Sequence, residues 1–229
     1  MFYVTFTVVL LSIEGIHHKD VAHSLEAFGN TVRFSHIRTV QHHDRKTSWG
    51  TPVTYESTLP PLLDSSGLSL AVRRLESVTI RSKDVARLDR SLSMLTSIPR
   101  LKHLSFYDTP LTTEKLNDVL SNTEVSSLYL RNAKLPRGRI PCLNHPTLKW
   151  LCVCHTQFSN PALADLTPTL TYLDLTRTRI NDKGLPQLQR LRDLKQLNLR
   201  RTPTTVQAVD QLRDAMPWCR ISWEALRQP

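Results

Sequence analysis

The sequence predicts an α/β solenoid: a curved parallel sheet on the inside, helices or irregular turns on the outside, about six repeats and a terminal partial repeat. Three observations carry that prediction. An apolar frame recurs in register along most of the chain, polar stretches with helix-capping residues separate its copies, and the composition is that of a folding protein. With 229 residues, 40% hydrophobic and 22% charged, the chain can bury a substantial core.

The frame is clearest in LTYLDLTRTRI, Leu170 to Ile180, where Leu170, Leu173, Leu175 and Ile180 stand at relative positions 1, 4, 6 and 11 and Thr178 at position 9. The first copy is Leu75, Val78, Ile80 and Val85; the second is Leu101, Leu104, Phe106 and Leu111, with Thr109 at position 9. Val125, Leu128, Leu130 and Leu135 make the third, and Leu148, Leu151, Val153 and Phe158, with Thr156, the fourth. After the fifth copy, Leu194, Leu197 and Leu199 keep the frame with Thr202, although Thr204 holds position 11; Trp218, Ile221 and Trp223 form a partial seventh. Side chains alternate along a strand, so positions 4 and 6 share one face, and position 11 returns to that side after the strand ends. One repeat cannot bury such a face alone. Stacked copies can, by aligning their strands in a parallel sheet.

The outer segments follow from their own residues. TTEKLNDVL (112–120) and TVQAVDQL (205–212) open on threonines that can cap helices. SNPALADL (159–166) places Pro161 in a first turn, and NDKGLPQLQRL (181–191) offers Asn181 or Asp182 as a cap, with Leu185, Leu188 and Leu191 three apart. LPRGRIPCL (135–143), broken by Pro136, Gly138 and Pro141, predicts an irregular or extended segment.

A period of 22 to 26 residues with L-x-x-L-x-L-x-x-[N/C/T]-x-L is the signature of a leucine-rich repeat. LTYLDLTRTRINDKGL (170–185) and MPWCRI (216–221) resemble bacterial leucine-rich-repeat proteins whose repeats read L-x-x-L-x-L-x-x-T-x-I-[TN]-D-x-G-L and whose last copy ends in L-P-x-C-x-I. The resemblance covers about 72–223 and implies a recognition scaffold without chemistry. Similar proteins begin with an apolar anchor and a helix-plus-strand unit, and VAHSLEAFGNTVRFS (21–35) looks like that unit, with Val32 and Phe34 alternating as in a strand. The division expected is 1–20 as an apolar N-terminal segment, 21–71 as the helix-strand unit with a polar linker or N-terminal cap, and 72–229 as the repeat domain with a C-terminal cap.

Residues 1–13, MFYVTFTVVLLSI, are apolar and uncharged. They are too few for the roughly 20 residues of a helical membrane span, which leaves a buried element or the end of a longer membrane anchor. The compartment is correspondingly either cytoplasmic or membrane-anchored. Net charge is +10 and uneven: residues 1–71 hold five basic and six acidic side chains, and the remainder 25 and 14. The four cysteines read as reduced thiols rather than a disulfide framework.

Catalytic, cofactor and metal motifs are not found. The chain has no phosphate-binding loop, dinucleotide fingerprint, nucleophile elbow or H-E-x-x-H, and only six glycines. His17, His18, His42, His43 and Asp44 read as linker residues, and Cys152 and Cys154, near His155, as unreactive surface thiols short of a four-ligand zinc set. No cofactor is expected.

The frame leaves positions 3, 5 and 7 on the concave face. Tyr107, Tyr129, Trp150 and Tyr172, four of the chain's 15 aromatic residues, stand there in consecutive repeats. With His103, Arg131, Cys152, Asp174, Asn198 and Arg200 they make the candidate binding face. An unidentified protein ligand is the first expectation, since surface aromatics concentrate in interface hot spots; packing of the rings across strands is the alternative. Nucleic acid or another polyanion is the competing partner, but Arg137, Arg139, Arg190, Arg192, Lys195 and Arg213 fall on outer and linking segments and read as solvated charge. Oligomeric state is not legible.

Overall fold

The computed structural model describes residues 31–36, 73–81, 85–96 and 100–226. Within them eight strands form one sheet in chain order: β1 (Thr31–His36), β2 (Arg73–Arg81), β3 (His103–Tyr107), β4 (Ser127–Arg131), β5 (Trp150–Cys152), β6 (Tyr172–Asp174), β7 (Gln196–Asn198) and β8 (Arg220–Ser222). Strands β2 to β8 run parallel. Strand β1 pairs antiparallel with β2, with a register shift between Arg33 and Phe34, and it includes the predicted Val32 and Phe34.

Every parallel pair joins equal positions of the frame. Val78 faces Leu104, Leu104 faces Leu128, Leu128 faces Leu151, Leu151 faces Leu173, Leu173 faces Leu197 and Leu197 faces Ile221. Repeats of unequal length stay in register because the differences are absorbed outside the sheet. The inward residues at positions 4 and 6, from Val78 and Ile80 to Leu197 and Leu199, are buried, as are the position 1 leucines Leu101, Leu148, Leu170 and Leu194.

The turn after each strand is built the same way five times. Asp108, Asn132, His155, Arg177 and Arg201, all at position 8, have φ between 53° and 59°. This left-handed backbone turns each N–H onto the position 7 carbonyl of the next repeat: Asp108 to Arg131, Asn132 to Cys154, His155 to Thr176, Arg177 to Arg200 and Arg201 to Glu224. The inter-repeat ladder thus continues past the strand ends. At position 9, the hydroxyls of Thr156, Thr178 and Thr202 donate to the position 6 carbonyls of Val153, Leu175 and Leu199 at 2.6–2.7 Å.

Helices and turns cover the other side of the core: α1 (Val85–Leu95), α2 (Thr113–Ser121), a 3₁₀ turn η1 (Pro141–Leu143), α3 (Asn160–Leu163), a 3₁₀ helix η2 (Asp182–Arg190) and α4 (Val206–Ala215). Thr112 and Thr205 cap α2 and α4 through their hydroxyls. The segment 135–143 is irregular apart from η1, as Pro136, Gly138 and Pro141 require. Segment 181–191, expected as a helix with an Asn or Asp cap, is a 3₁₀ helix capped by Asn181. Leucines three apart match its three residues per turn, and Pro186 removes an α-helical donor.

Three details depart from the frame. Val85, expected inward at position 11, is 50% exposed because α1 starts there and Leu88, Leu92 and Leu95 fill the space. Trp218, expected inward at position 1 of the last repeat, is 38% exposed under the Arg192 guanidinium, and Met216 is buried in its place. Thr204 is buried at position 11, and its hydroxyl accepts the Trp223 indole N–H at 2.9 Å, closing the C-terminal end.

These parallel, register-locked coils make the fold a leucine-rich-repeat solenoid. Residues 1–13, the expected helix of the 21–35 unit, His17, His18, and most of the linker with His42, His43 and Asp44 lie outside the described residues. Among the described residues no helix is long and apolar enough to cross a membrane.

Candidate functional site

The face turned away from the helices is a grid, because strand register carries each frame position across as a row. Position 3 runs His103, Ser127, Trp150, Tyr172 and Gln196; position 5 runs Ser105, Tyr129, Cys152, Asp174 and Asn198. At position 7, Tyr107 pairs with Arg131. The four aromatic residues therefore descend diagonally, from position 7 through 5 to 3, and only Trp150 and Tyr172 are direct neighbours. Their rings stack with centroids 4.4 Å apart and planes 14° apart. Trp150 remains 36% exposed, Tyr129 and Tyr172 are half-buried, and Tyr107 lies under the Arg81 guanidinium, 4.7 Å from its ring centre.

Below this stripe is a chemically distinct floor. Cys152, the last residue of β5, and Cys154, two residues on, project to the same side, as their spacing requires, with sulfurs 3.1 Å apart. They are each 8% exposed, so the expectation of surface thiols is corrected. Tyr129 stands on one flank, at the register position of Cys152, and the carboxylate of Asp174 on the other. A sulfur from each cysteine and an oxygen of Asp174 all lie within 4.8 Å of one another. Asp174 Oδ1 accepts the Thr176 N–H at 2.8 Å, and Asn198 Oδ1 repeats that turn by accepting the Arg200 N–H at 3.1 Å.

The titration of these groups follows from burial and neighbours. The hydrogen bond Cys152 donates to Cys154 holds the Cys152 thiol up and the Cys154 thiol down. Burial raises the Tyr129 and Tyr172 phenols, with Asp174 adding at Tyr172, so both remain hydrogen-bond donors at neutral pH. Burial, then the Arg177 and Arg131 charges, lowers His155 and favours the neutral ring. Cys142 and Cys219, elsewhere in the chain, are pushed up to about 11, chiefly by burial.

The structure therefore brings Tyr129, Trp150, Cys152, Tyr172 and Asp174 together. Arg131 is exposed at the edge of this group, and Tyr107 belongs to a separate contact with Arg81. His103 is two strands away from Trp150; Asn198 and Arg200 form their own turn on the far side. Cys154 and Thr176, which the frame puts on this same face at position 7 of adjacent repeats but which were not among the residues expected to bind, join the group: the Cys154 sulfur contacts Cys152 and the Thr176 N–H bonds Asp174.

Arg139, Arg190 and Arg213 are exposed, as expected, and also have partners within the fold. Arg139 pairs with Asp165, a carboxylate residue only 4% exposed, through Nη2 at 2.5 Å and Nε at 2.7 Å. Arg190 donates to the Leu163 and Leu166 carbonyls at 2.7 Å, and Arg213 pairs with Asp210. A shallow hollow lined by Thr171, Arg192, Asp193, Lys195 and Trp218 lies beside the last strands.

No protein-family profile and no curated protein sequence matches the chain. Among solved structures, an internalin (inlF) from Listeria monocytogenes is similar at 21% identity and a TM-score of 0.47, over 67% of this chain and 44% of that one. A chain of a TLR13–ssRNA13 complex is similar at 20% identity and a TM-score of 0.42, over 57% of this chain. The chain spans less than half the length of the internalin and 20% of the other.

Proposed function

We propose that the protein is a non-catalytic recognition scaffold that takes a protein ligand on its concave face, around the stacked Trp150 and Tyr172. One observation carries this reading: stacking covers part of the indole, yet 36% of Trp150 stays exposed. A large ring left at the surface forgoes burial worth roughly 1.5–3 kcal/mol. A ring already fixed by its neighbour loses little further freedom on docking, which suits it to an interface centre. Tyr129 and Tyr172 add hydroxyl donors, and Asp174, Arg131 and Arg200 add charge of both signs around them. The repeat type is that of the bacterial proteins resembled by 170–185 and 216–221, and attachment through residues 1–13 belongs to the same proposal.

A photo-reactive residue placed at Gln196, beside Tyr172, tests this by cross-linking and identifying the ligand. The purified ligand is then titrated against wild type and a Tyr129→Ala, Trp150→Ala variant of equal thermal stability. A loss of affinity of about 30-fold or more is expected for truncating two such anchors; unchanged affinity removes the site. Salt separates the polyanion reading, because polyphosphate binding falls steeply between 50 and 200 mM salt, whereas an aromatic-centred interface does not. The pairing of Arg139, Arg190 and Arg213 within the fold weighs against that second reading.

A further inference from the structure

We propose that Cys152, Cys154 and Asp174 form a binding site for Zn²⁺ in the floor of the open face. The donor set is chemically selective: two thiolates with one carboxylate suit zinc and its thiophilic relatives, and they disfavour Mg²⁺ and Ca²⁺, which take oxygen ligands. The geometry is nearly assembled. Zinc holds thiolates at about 2.3 Å and carboxylate oxygens at about 2.0–2.2 Å, which places tetrahedral donors roughly 3.5–3.8 Å apart. The sulfurs, at 3.1 Å, must open by roughly 0.4–0.7 Å, and Asp174, within 4.8 Å, must close by about 1 Å, changes within reach of side-chain rotation.

The fold positions all three ligands and leaves one carboxylate oxygen open. Cys152 ends β5 and Cys154 follows two residues on, on the same side, while Asp174, at the end of β6, is held by the Thr176 N–H through Oδ1. Among the described residues, Asp174 Oδ2 accepts no hydrogen bond. A second observation points the same way. The Thr176 hydroxyl is buried and has no hydrogen-bond partner, in the turn after β6, at the same frame position as Cys154 in the neighbouring coil. A bound thiolate would give that hydroxyl an acceptor, the outer-shell role that orients metal ligands. Three protein ligands leave the fourth position toward the open side, for water or for a group from a bound partner.

Binding is a ligand exchange and no redox step: each thiol gives up its proton as its sulfur bonds the ion, so up to two protons leave per Zn²⁺. The test uses the full chain, reduced with a phosphine. Titration with Co²⁺ as a spectroscopic stand-in should give a thiolate-to-metal charge-transfer band saturating at one ion per chain, displaced by Zn²⁺. Asp174→Asn should weaken binding at least tenfold, and Thr176→Val by about tenfold. The Cys142→Ser, Cys219→Ser double variant should bind as wild type. Should cysteine variants at 152 and 154 fail to fold, alkylation of the wild-type chain with iodoacetamide keeps the test open: Zn²⁺ should protect Cys152 and Cys154 and leave Cys142 and Cys219 unaffected. No charge-transfer band, equal affinity in Asp174→Asn, or no protection of the two thiols each overturns the site.

Discussion

Thr109 and Thr178 hold the same position in their repeats and meet different surroundings. The Thr178 hydroxyl donates to the Leu175 carbonyl at 2.7 Å, whereas the Thr109 hydroxyl is buried with no partner. Thr178→Val should therefore cost about 0.5–1.5 kcal/mol in urea denaturation, the Leu175 carbonyl keeping the Thr178 N–H, and Thr109→Val, which removes an unsatisfied group of the same shape, should be neutral or stabilising. Position 8 gives a parallel contrast. Asp108, Asn132 and His155 are residue types that tolerate left-handed backbone, whereas Arg177, at φ 53°, does not gain from it. Arg177→Asn should raise stability by about 1 kcal/mol, and Arg177→Val should lower it. Asp165 is a third case: its Oδ2 accepts the N–H of buried Ile140 at 2.6 Å. Asp165→Ala should cost about 2–3 kcal/mol, since that donor is left unpaired.

Between elements, the outer segments are stitched by the residues that cap them. Asn181 caps η2, and Asn160, at the start of α3, bonds it through both amide atoms, at 2.7 and 3.2 Å. Asp182 in turn takes the N–H and hydroxyl of Thr205, the cap of α4. Gly184 is needed for this seam: a Cβ there would come within 2.4 Å of Asn160 Oδ1. Gly184→Ala should cost about 1–3 kcal/mol by overpacking, and less in an Asn160→Ala background, a coupling that a double-mutant cycle measures. At this scale the sequence was informative where spacing alone decides. The strands, their register and their inward pairs followed from alternation, and the irregular 135–143 segment from Pro136, Gly138 and Pro141. What spacing could not supply was set by neighbours in space: the 3₁₀ form of η2, the exposure of Val85 and Trp218, and the burial of Cys152 and Cys154. For the candidate face, the side and register position of each residue were legible from the frame. The grouping was only partly so, because Tyr107 shares the face but stacks with Arg81.

Across the whole molecule, each coil leans on its neighbours, so the stability of a solenoid is close to a sum of repeat and interface terms. Its C-terminal end depends on Trp223, whose indole bonds Thr204 across the last pair of coils. Trp223→Ala should cost roughly 2 kcal/mol. Hydrogen exchange should then quicken first at β7 and β8, while β3 and β4 keep their protection, as expected where opening is local.

The diagonal placement of the aromatic residues also sets a direction of approach. Stepping from Tyr107 to Tyr129 to Trp150 moves one strand sideways, about 4.8 Å, and two residues back along it, about 6.7 Å, a heading near 35° from the strands with a stride of about 8 Å. From Trp150 to Tyr172 the path turns straight across, through the 4.4 Å stack. A straight rod would follow only one leg of that track; a ligand that follows both must carry an elbow over Trp150.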